Sequence, residues 1–351
     1  MAKIIVGMSG GVDSAVCAYL LKKEGHEVVG VTLRTILSSS ECCEIDDVRA
    51  AAWKIGIKYY IQNAISDFES QIIYPFIDDY LKGVTPNPCV FCNRCIKWEK
   101  LFYYKNIMKA DYIATGHYAS VVQKENGRYS LKQASHINKD QTYMLYRLSQ
   151  DQIKNTLMPL GNISKDEVRK IAKEAELSVA EKKDSQEICF VPKGQYADYI
   201  IEHAGERFLG EGNFVDENGV VLGKHKGIIY YTVGQRKGLG LALGYPAYVK
   251  EIHTTENEVV IGNEQSLYQK EILCHDLNFL SIDELKKDEV IQAKVKVRYH
   301  HSGQNAMVKM LDEKRAKIIF EEPVKAASPG QSAVFYDEEN CVIGGGIISK
   351  L

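Results

Sequence analysis

Lys3-Ile4-Ile5-Val6-Gly7 leads through Met8 into Ser9-Gly10-Gly11-Val12-Asp13-Ser14, and this junction constrains the fold more than any other stretch. The apolar, β-branched run reads as a strand buried on both faces, as in a parallel sheet. Behind it, Ala15 to Lys23 carries helical spacing and stops at Gly25. A strand, a Gly-Gly turn and a helix N-terminus in succession make an anion site. The glycines let backbone N–H groups close on phosphate oxygens, and the helix dipole favours negative charge. Ser9 and Ser14 would add hydroxyl donors, and Asp13 a carboxylate for a Mg²⁺ that bridges phosphates. On pattern alone, an ordinary βα turn with two glycines accounts for these residues equally well.

The turn lacks the Gly-Lys-Ser/Thr of a Walker loop and the spacing of a dinucleotide fingerprint. It resembles the SGGxDS loop of the PP-loop ATP pyrophosphatases, which cleave ATP to AMP and pyrophosphate while adenylating a substrate oxygen. That resemblance implies an ATP site formed by Gly7, Met8, Ser9, Gly10, Gly11, Val12, Asp13 and Ser14. Leu33 and Gly116, at the ends of two further strands, are candidate walls, because ligands of such sheets sit at the strands' carboxyl ends.

Further along, strand-like Glu27–Leu33, a helix from Asp46 to Gly56, strand-like Lys58–Ile61 and a long amphipathic segment to Lys82 alternate. Asp111–His117 adds another strand. This alternation implies a doubly wound, Rossmann-like α/β sheet with helices on both faces. A capping box, Ser164 to Glu167, opens a helix that closes the first domain. Beyond Pro192, glycines recur between short strand-like runs, and from Gln269 strands and turns alternate to the end. The expected domains are 1–193 catalytic, 194–266 small and β-rich, and 267–351 a β-barrel that binds tRNA.

Nine cysteines in 351 residues are too few for a disulfide scaffold, yet Cys42-Cys43 and Cys89/Cys92/Cys95 are grouped. With no signal segment and no membrane-length apolar run, the expected setting is cytoplasmic, where such groups serve redox chemistry or metal binding. Thr85-Pro86-Asn87-Pro88 is extended, and a helix follows, so Cys92 is expected near a helix N-terminus beside Arg94 and Lys97. Both features favour a nucleophilic thiolate. Half of a structural zinc site is the other reading of Cys89-x-x-Cys92. Cys189, taken alone, reads as a core thiol.

Together with the SGGVDS loop, several stretches recur in one order: Thr85–Asn93, Thr115–Ala119, Lys139–Tyr143, Ser185–Phe190, Thr232–Gly240 and Ser328–Ser332. They resemble the tRNA-specific 2-thiouridylase family from end to end. The resemblance implies an ATP-dependent sulfurtransferase that adenylates O2 of the wobble uridine and then installs sulfur. Cys189 would carry the persulfide, Cys92 would attack during transfer, and Asp13 would serve catalysis. The resemblance also implies tRNA contacts at Asn87, Pro88, Cys89, His117, Lys139, Asp140, Gln141, Arg298, Tyr299 and Gln331. Partners are the tRNA anticodon stem-loop and a persulfide donor, either a cysteine desulfurase or a sulfur-relay protein.

The formal charge of −2 requires any RNA surface to be a local patch. Period-two alternation over Ala293–His300 places Lys294, Lys296, Arg298 and His300 on one strand face, a candidate phosphate track or a solvated barrel face. Asp140 suits hydrogen bonds to base or ribose, and a helix N-cap fits it equally. Many family members carry Asp where this chain has Cys89, so an iron–sulfur cluster on Cys89, Cys92 and Cys189 is an alternative to the persulfide pair. An amide or guanidine synthetase is a third reading, but it would leave Cys92 and Cys189 without a purpose. A non-catalytic RNA-binding module would not need an intact loop.

Overall fold

A computed structural model of the chain describes residues 1–36, 45–184, 188–192 and 194–350. Cys42, Cys43 and Ser185, Gln186 and Glu187 of the Cys189 motif lie outside the described residues. The N-terminal region comprises β1 (Lys3–Gly7), α1 (Val12–Lys23), β2 (Glu27–Arg34), α2 (Ile45–Ile55) and β3 (Lys58–Asn63). Helices α3 (Ile65–Phe68) and α4 (Tyr74–Leu81) follow, joined by a π turn, Glu69–Ile73, just ahead of Pro75. Next come α5 (Pro88–Phe91), α6 (Glu99–Ile107), β4 (Tyr112–Ala114), β5 (Ala119–Gln123), β6 (Tyr129–Gln133), α7 (Gln150–Lys154), β7 (Thr156–Leu157) and α8 (Lys165–Glu174).

Five of these strands form a parallel sheet in the order β3-β2-β1-β4-β7. Ile4, Ile5 and Val6 have no exposed surface. Ile4 and Val6 pack toward α1, α2 and α8 through Val16, Ala51 and Val168. Ile5 faces the opposite layer, with Trp98 and Leu101. The uninterrupted apolar run of β1 is therefore the signature of a strand covered on both sides.

The middle region opens with α9 (Tyr196–Ala204) and continues with β8 (Gly212–Val215), β9 (Val221–His225), β10 (Tyr248–His253) and β11 (Glu258–Gly262), ordered β10-β11-β8-β9. The last region is a closed, antiparallel six-stranded barrel. Its strands are β12 (Tyr268–Phe279), β13 (Val290–Lys296), β14 (Gln304–Met310), β15 (Arg315–Lys325), β16 (Ser332–Tyr336) and β17 (Val342–Ile348).

The barrel is welded to the catalytic region by tyrosines of the Lys139–Leu148 stretch. Tyr143 Oη donates to Ser332 O at 2.8 Å and accepts from Ser332 N at 3.1 Å. Tyr146, fully buried, contacts the Ser332 hydroxyl at 3.2 Å, and Arg147 pairs with Asp276 at 2.6 Å. Against Tyr146 lies Gly345 of β17, where a Cβ would meet the tyrosine ring and Ala333 O at 2.7 Å each. The carbonyl cannot yield, so Gly345→Ala should cost about 2 kcal/mol through overpacking. Thermal unfolding checks this; an unchanged midpoint would show that barrel and catalytic region are not rigidly packed here.

Candidate functional site

The phosphate-type loop has the expected strand–turn–helix setting. Gly10 takes φ +81°, the left-handed region in which glycine is comfortable. Gly11 caps α1 in an extended conformation, without a side-chain cap bond. The hydroxyl of Ser14 is committed inside the loop, donating to Gly11 O at 3.0 Å and accepting from Ser9 N at 3.1 Å. The expectation that Ser14 presents a free donor is therefore corrected. Met8 and Val12 bury their side chains in the core, so only their backbone faces a ligand. Leu33 is half-buried at the end of β2.

Gly116 is where β4 meets this loop. A Cβ there would lie 2.7 Å from the Asp13 carbonyl carbon and 2.8 Å from Ser14 N. Immediately after it, His117 shares a 3.0 Å hydrogen bond through Nδ1 with the Thr115 hydroxyl and lies beside the Trp98 ring. Burial, helped by Lys97, pushes the His117 pKa down to about 3, so the ring is neutral near neutral pH. Tyr118 Oη donates to Asp13 at 2.6 Å, and burial next to that carboxylate pushes its own pKa up.

Asp13 is not a solitary carboxylate. Lys165 Nζ lies 2.8 Å from both of its oxygens and 2.7 Å from Asp184. Asp184 also takes Lys139 and Arg169, each at 3.0 Å. Burial opposes its ionisation, but Lys165 and Lys139 outweigh that and hold its pKa below the usual carboxylate range. Sequence reasoning had treated Lys165 only as the residue after a helix cap. A lysine at the first helical position opposes the macrodipole, and that was the available signal.

Cys92 lies one turn inside the helix that begins at Pro88, at the start of a π turn, Cys92–Trp98. It is buried, in an apolar cluster with Phe68, Phe76, Ile96 and Phe190. The structure thus places it deeper in the helix than the expected N-terminal position. Cys189 packs half-buried against the same cluster, as do Leu33 and Ile36 from the end of β2. Ala64, just after β3, belongs to it as well, so the cluster adjoins the carboxyl edge of the sheet. Phe190 anchors the Cys189 turn among Phe68, Phe76 and Tyr199, with ring centroids 5.2 to 5.8 Å apart. Cys89 is exposed. Burial raises the pKa of Cys95 despite Arg94 and Arg147 nearby. Among the described residues, the one group of three potential metal ligands within 4.8 Å is Asp337, Glu339 and Cys341. Cys89, Cys92 and Cys189 do not form such a close group for a single ion.

The extended segment before the cysteines is a junction of all three regions. Thr85 N donates to Pro329 O at 3.0 Å, and its hydroxyl meets that of Thr232 at 3.2 Å. Gln331 Nε2 donates to Thr85 O at 2.9 Å, so Gln331 holds the barrel to this segment. Pro88 is buried as the first residue of α5, and Asn87 Nδ2 contacts Met144 Sδ at 3.4 Å.

Two expectations for the RNA face are corrected. Strand β13 ends at Lys296, so the alternation does not continue through Arg298 and His300. Lys296 is buried, 3.8 Å from Asp140, and burial lowers its pKa. Asp140 is not a helix N-cap and is only 4% exposed; it accepts from Ala134 N at 3.1 Å and from the Thr142 hydroxyl at 2.8 Å. Burial raises its pKa. Gln141 locks onto Tyr118 in both directions, at 2.9 and 3.0 Å. Arg298 donates to Lys325 O at 2.9 Å. Beside Asp140, an open groove of about 810 Å³ is lined by Lys132, Lys294, Lys296, Tyr299, His300 and Asn138, among others. It runs between the catalytic region and the barrel.

The chain matches three family descriptions in succession: "tRNA methyl transferase HUP domain" over residues 2–193, "tRNA methyl transferase PRC-barrel domain" over 197–263 and "Aminomethyltransferase beta-barrel domain" over 269–348. It is 46% identical to the tRNA-specific 2-thiouridylase MnmA of Lachnoclostridium phytofermentans, covering 100% of both chains. It is 48% identical to the protein of the same name from Acetivibrio thermocellus, covering 99% of each. The chain belongs to the tRNA-specific 2-thiouridylase family. Among the described residues, no helix is long and apolar enough to cross a membrane.

The neutral His117 makes a pH prediction. Below the ordinary histidine value of 6.5 the unfolded chain binds a proton that the folded ring refuses down to about 3. Stability from this residue is therefore lost as pH falls across that window. His117→Asn should lose less stability than the parent between about pH 7 and about pH 5, measured by urea unfolding. An identical loss in both proteins would show that His117 protonates freely in the fold.

Proposed function

We propose, with that membership as premise, that this chain thiolates C2 of a tRNA wobble uridine, using ATP to activate the base and a cysteine persulfide to supply sulfur. The observation that carries the reading is one of position. The loop after β1 lies at the carboxyl edge of the sheet, and Cys92 and Cys189 both pack in the apolar cluster that adjoins the same edge.

A uridine carbonyl is a poor electrophile, and its oxygen must first become a leaving group. The loop N–H groups and the start of α1 would hold the ATP phosphates. Uridine O2 attacks the α-phosphorus; the O2–P bond forms, the bond to the β-phosphate oxygen breaks, and pyrophosphate leaves with the electron pair. The N3 proton is lost to solvent. The terminal sulfur of a Cys189 persulfide then bonds to C2, and AMP departs with the C2–O pair. Cys92, as thiolate, attacks Cys189 Sγ, breaking the S–S bond; the electron pair stays with the sulfur on C2, N3 takes back a proton from solvent, and a Cys92–Cys189 disulfide forms. An external dithiol reduces it for the next turnover, which suits a reducing, cytoplasmic setting. A Mg²⁺ accompanying ATP fits the Asp13 carboxylate, which is 32% exposed, and would neutralise phosphate charge there.

The groove beside Asp140 suits the anticodon stem-loop. Lys132, Lys294 and His300 supply phosphate contacts, and Tyr299 a stacking face for an unpaired base. Lys139, Asn87 and His117 are further residues for tRNA contact. Asp140 and Gln141 shape this surface from beneath through their internal hydrogen bonds. The persulfide donor is a desulfurase or a sulfur-relay protein.

The test combines ATP, unmodified tRNA and a persulfide donor, with nucleoside mass spectrometry and AMP measured together. One AMP per 2-thiouridine is expected. Cys189→Ser should abolish thiolation while pyrophosphate release with tRNA persists, and Cys92→Ser should stall with sulfur still linked to the enzyme. Anaerobically purified Cys89→Asp should remain active and free of iron. Iron and activity lost together in that variant would replace the persulfide route by an iron–sulfur cluster.

A further inference from the structure

Cys89 and Cys92 face different surroundings although a single helical turn joins them. Pro88 opens α5, Cys92 N donates to the carbonyls of Cys89 and Pro88, and the helix continues through the π turn into α6. Cys89 is exposed, whereas Cys92 is only 8% exposed. The turn is pinned on both sides of the pair. Asn87 Nδ2 touches Met144 Sδ at 3.4 Å, and Asn93 Nδ2 donates to Met144 O at 2.9 Å. Cys92 is therefore held in the apolar cluster against which half-buried Cys189 also packs, with Phe68, Phe76 and Phe190. A disulfide formed there offers a bulky protein reductant little surface, and the pinned turn keeps Cys92 from swinging out to meet one.

We propose that Cys89 resolves the Cys92–Cys189 disulfide left by each turnover. The inference rests on the persulfide reading of Cys92 and Cys189. Cys89, as thiolate, attacks Cys92 Sγ; the Cys92–Cys189 bond breaks, and Cys189 leaves as a thiolate with the electron pair, ready for the next sulfur. A Cys89–Cys92 disulfide forms, with no net oxidation in the exchange. An external dithiol then attacks Cys89 Sγ, and Cys92 departs as a thiolate. The second thiol of the reductant attacks the first, releasing Cys89; the reductant supplies both electrons and leaves as a disulfide. Spacing suits this exchange. Residues three apart on a helix stand about 5–6 Å apart at Cβ, and a slight tightening of the first turn brings them into disulfide range. The positive end of a helix also favours an attacking thiolate. The work divides by exposure: Cys89 meets the reductant, and Cys92 meets Cys189.

Peptide mapping after one round of thiolation tests this. Full-length protein, loaded with persulfide and freed of donor and reductant, is given ATP and unmodified tRNA, then acid-quenched and alkylated. Trypsin leaves Cys89 and Cys92 on one peptide, Gly83–Arg94, and Cys189 on another, Asp184–Lys193. Most of the oxidised parent should carry its disulfide within Gly83–Arg94, with Cys189 alkylated, and without ATP neither disulfide should form. Cys89→Ser should hold the two peptides cross-linked, and thioredoxin should release Cys189 from it about tenfold or more slowly than from the parent. A small dithiol reaches half-buried Cys189 unaided, so the variant still turns over when dithiothreitol is supplied. The proposal is overturned if the parent's only disulfide joins the two peptides, or if the Cys89–Cys92 disulfide forms equally without ATP. Resetting of the variant by thioredoxin at the parent's rate overturns it as well. Should Cys89→Ser fail to fold, the parent's peptide map decides alone. A parent that makes 2-thiouridine with no disulfide at Cys92 overturns the persulfide reading itself, and this inference with it.

Discussion

The close approach of two backbone turns at the carboxyl edge of the parallel sheet is the constraint on which the rest depends. Strands β1 and β4 are neighbours, so the turn after each must cross the same small space. Gly116 leaves room for it, since any side chain there would strike the backbone of Asp13 and Ser14. The consequences run along the chain. Tyr118 comes to rest on Asp13, Gln141 locks Tyr118, and the tyrosines beyond it bind the barrel. The loop after β1 and the barrel are thus connected through a short series of hydrogen bonds.

Burial sorts the cysteines. It pushes the thiols of Cys17, Cys274, Cys341 and Cys95 upward, which disfavours their thiolate forms. Cys92 and Cys189 differ in sharing a single apolar cluster that spans the catalytic and middle regions. The middle region supplies Phe214, Ile228 and Val249 to this cluster although it contributes no cysteine.

The charged residues show a similar division. Asp140 and Lys296 are buried as a pair from different regions, each opposed by desolvation. Their value lies in register: the hydrogen bonds to Asp140 and the amino group of Lys296 over the Tyr336 ring at 5.3 Å hold the groove floor in place. The groove is also lined by Lys132, Lys294 and His300, so a chain of net charge −2 still has a local basic surface there.

The apolar run of β1, the Gly-Gly turn and the capping box at Ser164 determine their own local structure, because strand burial, positive φ and helix capping act over a few residues. Cysteine grouping pointed to redox chemistry or metal binding for a similar reason, since residue type alone limits what a thiol can do, and only the family resemblance narrowed that to sulfur transfer. Partners far apart in sequence were beyond such reasoning. Asp13 meets Lys165 across 152 positions, and Gln331 reaches Thr85 across 246. Alternation in Ala293–His300 gave the faces of a strand but could not say that the strand stops at Lys296 or that Lys296 is buried on Asp140. Nor could spacing show that Ser14 turns its hydroxyl inward to Gly11. Local pattern determined the elements and the chemistry they carry; which charges pair, which hydroxyls remain available and which basic residues face solvent were decided by tertiary packing, because those depend on desolvation and on neighbours brought together only by the fold.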